Sequence, residues 1–373
     1  KTPWESQQLL KRDAMYSLTK NFYCYWLEGG PGDMFPIVRH SPKDFGPLWF
    51  DDPQIKETIA QLKALHDYNQ QEQNGTVAEV AIFTSMKGTY YQKLSPVYGT
   101  LYVELLRQWI MPHTGITFDD LILEDLPNIN KKYKVCIFMD VHYMSAELRK
   151  TVKTWLDENN TTAIWFYAPG YLDDTGCSLD HTKELTGIDL KVVHETSHLQ
   201  TILENKEHPY LAKVKERTFG TDVDPQQFKK NIRWMPWPYK NEDFKLNPVF
   251  HAADDEVIRL GHLEGSNQAS LVVKDLGNRK SIYSAAPMLS ADIIRNILKT
   301  EGVHVHNDQG ELVYANTRYI SITAISGDNG AKVVHLPKRQ TVHDALSGAL
   351  MGKNTKTIEV DMRHMETRIF KIT

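Results

Sequence analysis

Between Tyr133 and Ile188 the chain alternates short apolar runs with segments of helical period, and no other stretch limits its fold as strongly. Val135-Cys136-Ile137-Phe138-Met139-Asp140 is an apolar run that ends in an acid. Ser145-Ala146-Glu147-Leu148 opens a helix with Leu148, Val152, Trp155 and Leu156 at helical spacing. Ala163-Ile164-Trp165-Phe166-Tyr167-Ala168 is a second apolar run, closed by Pro169-Gly170. Strands apolar on both sides and joined by amphipathic helices predict a parallel sheet covered on both faces. Active sites in such folds lie at strand ends. Here the turn Pro169-Gly170-Tyr171-Leu172-Asp173-Asp174 holds neither a nucleophile nor a phosphate loop.

The 373 residues suffice for two or three domains with real cores. A net charge of −4 argues against a nucleic-acid partner, which calls for a basic face. No apolar run approaches the ~20 residues of a membrane span. Three cysteines, Cys24, Cys136 and Cys177, are too few for a disulfide scaffold and lack metal spacing. Cys24 and Cys136 sit inside apolar runs and read as inert core. Asn74-Gly75-Thr76 and Asn160-Thr161-Thr162 match glycosylation sequons, a match frequent by chance. Lys1-Thr2-Pro3-Trp4-Glu5-Ser6 has no signal-peptide pattern and runs straight into a helix, so the expectation is a piece of a longer protein. The sequence does not assign a compartment.

Three regions follow. Residues 1–77 read helix, strand, loop, helix. The first helix carries Leu9, Leu10, Ala14 and Leu18; the strand runs from Asn21 to Glu28; the second helix starts near Asp51-Asp52-Pro53 with Ile55, Ile59, Leu62 and Leu65 inward. One strand with two helices cannot close a domain, which suggests the last βα unit of a barrel. Residues 78–301 are α/β, with strands at Val80–Phe83 and Asp119–Leu123, a helix at Tyr102–Trp109, a hairpin from Ala269–Lys274 to Lys280–Ser284 through Gly277-Asn278, and a helix from Ser290 to Thr300. Residues 302–373 are short strands and turns that predict a small antiparallel sandwich.

Thiol amidotransferase chemistry needs a cysteine in a sharp strand-to-helix elbow with a histidine as base. Gly176-Cys177-Ser178 lies several residues past its strand and reads as a loop cysteine. Gly29-Gly30-Pro31-Gly32 follows a strand, but Pro31 and the lack of a following helix argue against a phosphate cradle. No cofactor motif is present. His304 and His306 share a strand face, where packing or surface polarity is favoured over a metal site; His251 with Asp254-Asp255 reads as an ordinary turn rather than a polar cluster. The best substrate-contact candidates are Trp26 and Glu28, at the carboxyl end of the strand, with Trp49 on the aromatic loop that also carries Phe35 and Phe45. An indole stacks on a sugar ring while a carboxylate binds hydroxyls. Core aromatics in a barrel strand are the equal alternative. Glycoside hydrolysis needs two carboxylates, and only one plausible acid stands at a strand end.

Several passages together resemble the C-terminal two-thirds of family 42 type β-galactosidases and related β-mannosidase-like hydrolases. They are Thr2-Pro3-Trp4-Glu5-Ser6 with Arg12-Asp13; Tyr25-Trp26 through Trp49-Phe50-Asp51-Asp52-Pro53; Tyr167-Ala168-Pro169-Gly170-Tyr171 with Leu185-Thr186-Gly187-Ile188; Ser281 to Pro287; Gly302-Val303-His304; and Tyr314-Ala315-Asn316. The resemblance implies an α/β plus β chain in three parts: the end of a (β/α)8 barrel, an amidotransferase-like (flavodoxin-like) trimerisation domain without its nucleophile, and a C-terminal β-sandwich. It implies a β-glycoside as substrate, a homotrimer and no cofactor. It also places the acid/base and the nucleophile on barrel strands that precede Lys1, with Glu5 a poor substitute, so the chain alone is not expected to turn over substrate. The alternatives are a non-catalytic oligomerisation or carbohydrate-binding protein and a degenerate amidotransferase-like enzyme.

Overall fold

The computed structural model describes residues 2–22, 24, 51–71, 75–91, 100–222 and 244–373. They form two compact units, Lys1–Val77 with Gln309–Thr373, and Ala78–Asp308. Among the described residues no helix is long and apolar enough to cross a membrane.

The first unit opens on helix α1 (Pro3–Thr19). Thr2 and Glu5 form a reciprocal capping box there: the Glu5 N–H donates to Thr2 Oγ1 and the Thr2 N–H to Glu5 Oε2. Helix α2 (Pro53–Gln71) starts where Asp52 Oδ1 accepts the Gln54 and Ile55 N–H groups, with Pro53 at the first helical position. The Asn21–Glu28 strand expected between them lies almost wholly outside the described residues.

The second unit is built on one mixed sheet. Strands β1 (Val80–Thr84), β2 (Phe118–Ile122), β3 (Val135–Phe138) and β4 (Thr162–Phe166) are parallel, in the order β2-β1-β3-β4. A wide-turned π-type helix (Thr100–Ile110) precedes β2, and helix α3 (Ala146–Asn159) joins β3 to β4. A two-stranded ribbon of β5 (Leu172–Asp173) and β6 (Gly176–Cys177) follows, then helix α4 (Leu179–Thr186). The sheet continues antiparallel through β7 (Leu190–Val193), β8 (Gln200–Leu203), β9 (Thr218–Gly220), β10 (Val249–Ala252), β11 (Ile258–Leu263), β12 (Ala269–Asp275) and β13 (Lys280–Ser284). Of these, β13 is parallel to β4 and completes a doubly wound order of five strands, while β12 pairs with it as the expected hairpin. Helix α5 (Ala291–Thr300) closes the unit, capped by Ser290 as its sequence predicts.

Every residue of β3 and β4 is buried, which is why these strands read as unbroken apolar runs. Phe83, Phe138 and Trp165 stand in register on adjacent strands and stack, with centroids 5.2 Å and 4.2 Å apart. The Trp165 indole N–H donates to Ser281 Oγ at 3.1 Å, so the largest core side chain has no unmet donor.

The rest of the first unit is a five-stranded antiparallel sheet, ordered β14 (Leu312–Ala315), β15 (Tyr319–Thr323), β18 (Thr367–Ile372), β16 (Gly330–Asp344) and β17 (Leu350–Met362). The expected sandwich of two sheets is therefore not what forms. One face of β15 and β18 is covered by helices: Tyr319 and Ile369 pack with Leu10, Met15, Leu18, Ile55 and Leu62. The other face, Ile320, Ile322 and Phe370, packs with Val334, Ile358 and Val360 of the long β16–β17 hairpin in the same sheet. Helices thus take the place of a second sheet.

Candidate functional site at the carboxyl ends of the parallel strands

In a doubly wound sheet the strand order reverses at one point, and the crevice outside the strand ends there is the usual ligand site. Here the reversal falls between β1 and β3. The loop leaving β1 is Ser85-Met86-Lys87-Gly88, and its N–H groups turn inward onto two carboxylates. Ser85 N–H donates to Asp140 Oδ1 at 2.9 Å. Met86 and Lys87 N–H groups donate to Glu124 at 3.1 Å and 2.9 Å. Ser85 Oγ donates to Glu124 Oε1 at 2.8 Å and accepts the Gly88 N–H at 2.9 Å. A run of inward amides of this kind is an anion cradle, and this one is filled by the chain's own Glu124.

The electrostatics follow from those bonds. Burial by itself raises the Glu124 carboxyl, but hydrogen bonds from Lys87, Ser85 and Met86 outweigh it and hold the group below the usual carboxylate range. Asp140 is buried and accepts fewer donors, so burial prevails and pushes it up to about 6. His142 beside it is lowered by burial. The only hydroxyl in the loop, Ser85 Oγ, is committed on both sides. The cluster pins the loop and holds Ser85 Oγ between Glu124 and the Gly88 N–H.

The elbow position is equally informative. Tyr167 directly follows β4 and has φ +61°, a left-handed conformation that a bulky residue adopts at a cost. Nucleophile elbows are strained turns of this sort. Tyr167 is only 6% exposed, its hydroxyl donates to the Pro248 carbonyl at 2.6 Å, and Tyr283 donates to the Tyr167 carbonyl at 2.7 Å. The strained corner is thus occupied by a packed phenol. No helix follows at once; the β5–β6 ribbon intervenes, so no helix N-terminus points at the corner.

The sequence-derived candidates fall as follows. Trp26, Glu28 and Trp49 lie outside the described residues, as do Phe35, Phe45 and the Gly29–Gly32 loop. Cys177 is exposed on β6, away from the elbow, and Cys136 is buried in β3, where burial raises its thiol. His304 and His306 meet edge to face with centroids 4.6 Å apart. His251 is buried on β10, and Asp254 is engaged by Lys274 and the Asp189 N–H. Among the described residues no group of three or more His, Cys, Asp and Glu is placed to hold a metal ion. The Ser85–Glu124–Asp140 cluster was only half visible in the sequence: Asp140 stands at the end of an apolar run, but nothing local marks Glu124 as its neighbour.

No family model and no curated protein matches the chain. Solved structures do match. A β-galactosidase from Bacillus circulans sp. alkalophilus aligns over 86% of this chain and 45% of its own length, at a TM-score of 0.58 and 14% identity. A GH42 β-galactosidase from G. stearothermophilus gives 87%, 44%, 0.57 and 14% for the same measures. The fold is that of family 42 β-galactosidases. A third such enzyme, from Rahnella sp. R3, aligns over 86% of this chain and 45% of its own, at a TM-score of 0.56 and 13% identity. The chain spans less than half the length of these enzymes.

Proposed function

We propose that this chain is the architectural portion of a retaining, β-galactosidase-like glycoside hydrolase, supplying the end of its barrel and an amidotransferase-like assembly domain, and that it is not catalytically complete alone. The observation that carries this reading is the elbow. In this doubly wound unit the elbow is turned by a buried Tyr167 and the anion cradle is filled by Glu124, so both of these places are engaged internally. The fold match to β-galactosidases supports the hydrolase context. Retaining hydrolysis takes two carboxylates about 5–5.5 Å apart. Trp26, Glu28 and Trp49 are the proposed sugar contacts, and residues 78–301 the proposed trimerisation domain.

The test is an assay of the purified chain against a panel of aryl β-glycosides. The expected result is no turnover above a buffer blank. Turnover that disappears in Glu28→Gln would overturn the proposal.

A further inference from the structure

The loop that leads into β16 contains Asp328-Asn329-Gly330. Asn329 is exposed, and its side-chain carbonyl oxygen Oδ1 accepts the His364 N–H at 2.7 Å. Among the described residues this is the only hydrogen bond of the Asn329 side chain, so its Nδ2 is unengaged. Gly330 opens the β16–β17 ladder opposite Met362, and a Cβ built there would meet nothing within 4 Å.

We propose that Asn329 is a site of spontaneous deamidation to aspartate and isoaspartate, assisted by the His364 N–H. The Gly330 nitrogen adds to Asn329 Cγ, a C–N bond forms, and Nδ2 leaves with the Gly330 proton as ammonia. Water then opens the cyclic imide at either carbonyl. One water is consumed, one ammonia is released, and no oxidant or reductant takes part. A side chain at position 330 would crowd the attacking nitrogen; glycine has none, and the space around it is open. The Asn329 carbonyl oxygen takes up negative charge as the nitrogen adds, and the His364 N–H already sits at hydrogen-bond distance from that oxygen. The leaving nitrogen has no hydrogen bond to give up among the described residues. Both products add a negative charge. The isoaspartyl form also lengthens the main chain by a carbon atom at the foot of β16, ahead of the buried Lys332 and Val334.

The full chain is incubated at neutral pH and, in parallel, in guanidinium chloride that unfolds it. Trypsin cuts after Arg318 and Lys332, and Asn329 is the only side-chain amide in the peptide between them. Conversion is read by mass spectrometry, with chromatography separating the isoaspartyl form. The expected result is conversion at least as fast in the folded chain as in the unfolded one. Slower conversion in the folded chain, or none, would overturn the proposal. His364→Pro tests the donor. The Arg363 carbonyl accepts the Glu366 N–H at 3.0 Å and Met365 has φ +70°, a type II turn that puts His364 where proline is favoured. The variant therefore keeps the turn and removes the N–H. With the melting temperature unchanged, its folded-state conversion should slow by about fivefold or more. An unchanged rate in the folded variant would overturn the assisted mechanism, and should the variant fail to fold, the comparison of folded with unfolded wild type still decides.

Discussion

Two single residues set sharp constraints. Gly115 has φ +69°, and its carbonyl accepts the His306 and Asn307 N–H groups. A Cβ there would stand 1.7 Å from the Asn307 carbonyl oxygen, which is backbone and cannot swing aside. Gly115→Ala is therefore expected to destabilise by more than about 3 kcal/mol, combining strain with a forced backbone shift; a change in melting temperature of under two degrees would contradict this. Asp140 makes a pH prediction. Its folded carboxyl is raised to about 6 by burial, above the unfolded value near 4. Such a group favours the folded state below about pH 4, and that contribution is lost as pH rises through 6. Asp140→Asn keeps an oxygen for the Ser85 N–H and removes the titration. Relative to wild type the variant should gain on the order of 2–3 kcal/mol between pH 4 and pH 7. Parallel denaturant melts at the two pH values check it; a difference independent of pH would refute it. Asp140 is marked in the sequence by its place at the end of an apolar run, but Gly115 and Tyr167 are not marked locally. Gly115 is ordinary until Asn307 is known to lie against it, and Tyr167 at a positive φ carries no sequence mark.

At the scale of elements, legibility tracked burial. The runs around β3, β4 and β13 were readable because they are buried on both faces. Helix starts were readable because caps are local: Asp52 and Ser290 each sit where their helix begins. The β16–β17 hairpin was read as two short strands, although it spans Gly330–Asp344 and Leu350–Met362. Its turn-proximal half exposes Lys338, Arg339, Gln340, Lys353 and Asn354 in part or fully, and so shows no alternation. The sandwich was misread for another reason: the partners of β15 and β18 are helices at the other end of the chain, a non-local pairing. One ion pair ties this sheet together. The fully buried Glu311 accepts from Lys332 on β16 at 2.6 Å, from the Ile325 N–H at 2.6 Å, and from the Ser326 N–H at 3.0 Å. Glu311→Ala leaves the Lys332 charge buried without its partner, and should cost about 3–5 kcal/mol. Replacing both, Glu311→Leu with Lys332→Met, should recover part of that loss; a double variant weaker than the sum of the singles would show that the pair is not the cause.

For the molecule as a whole, the question is what the α/β unit does with a packed tyrosine at its elbow. The proposed answer is assembly, and the distribution of apolar surface bears on it. The large apolar residues of α3 are used internally: Leu148 and Trp155 pack on the unit's own core, and the Trp155 indole donates to the Ile129 carbonyl at 3.4 Å. Exposed apolar surface gathers instead at the carboxyl ends of β1 and β2. Tyr90 is 84% exposed, Met86 56%, Tyr91 52% and Ile122 39%, and Tyr91 is held rigid by stacking on Tyr143 at 4.5 Å. The Glu124 carboxylate fixes the loop that bears Met86 and leads into Tyr90 and Tyr91, so the anion cradle gains a use in presenting this surface. Grouped aromatics on a rigid loop are what a protein interface favours. A ring of three needs a heterologous patch that closes on itself. Light scattering coupled to size exclusion is expected to give a trimer mass, and Tyr90→Glu with Ile122→Glu should shift it to monomer without altering the melting temperature by more than a few degrees. A wild-type monomer across a hundredfold range of concentration would sink the assembly role. A trimer that survives both charges would move the interface elsewhere on residues 78–301 and leave the exposed tyrosines without a purpose in assembly.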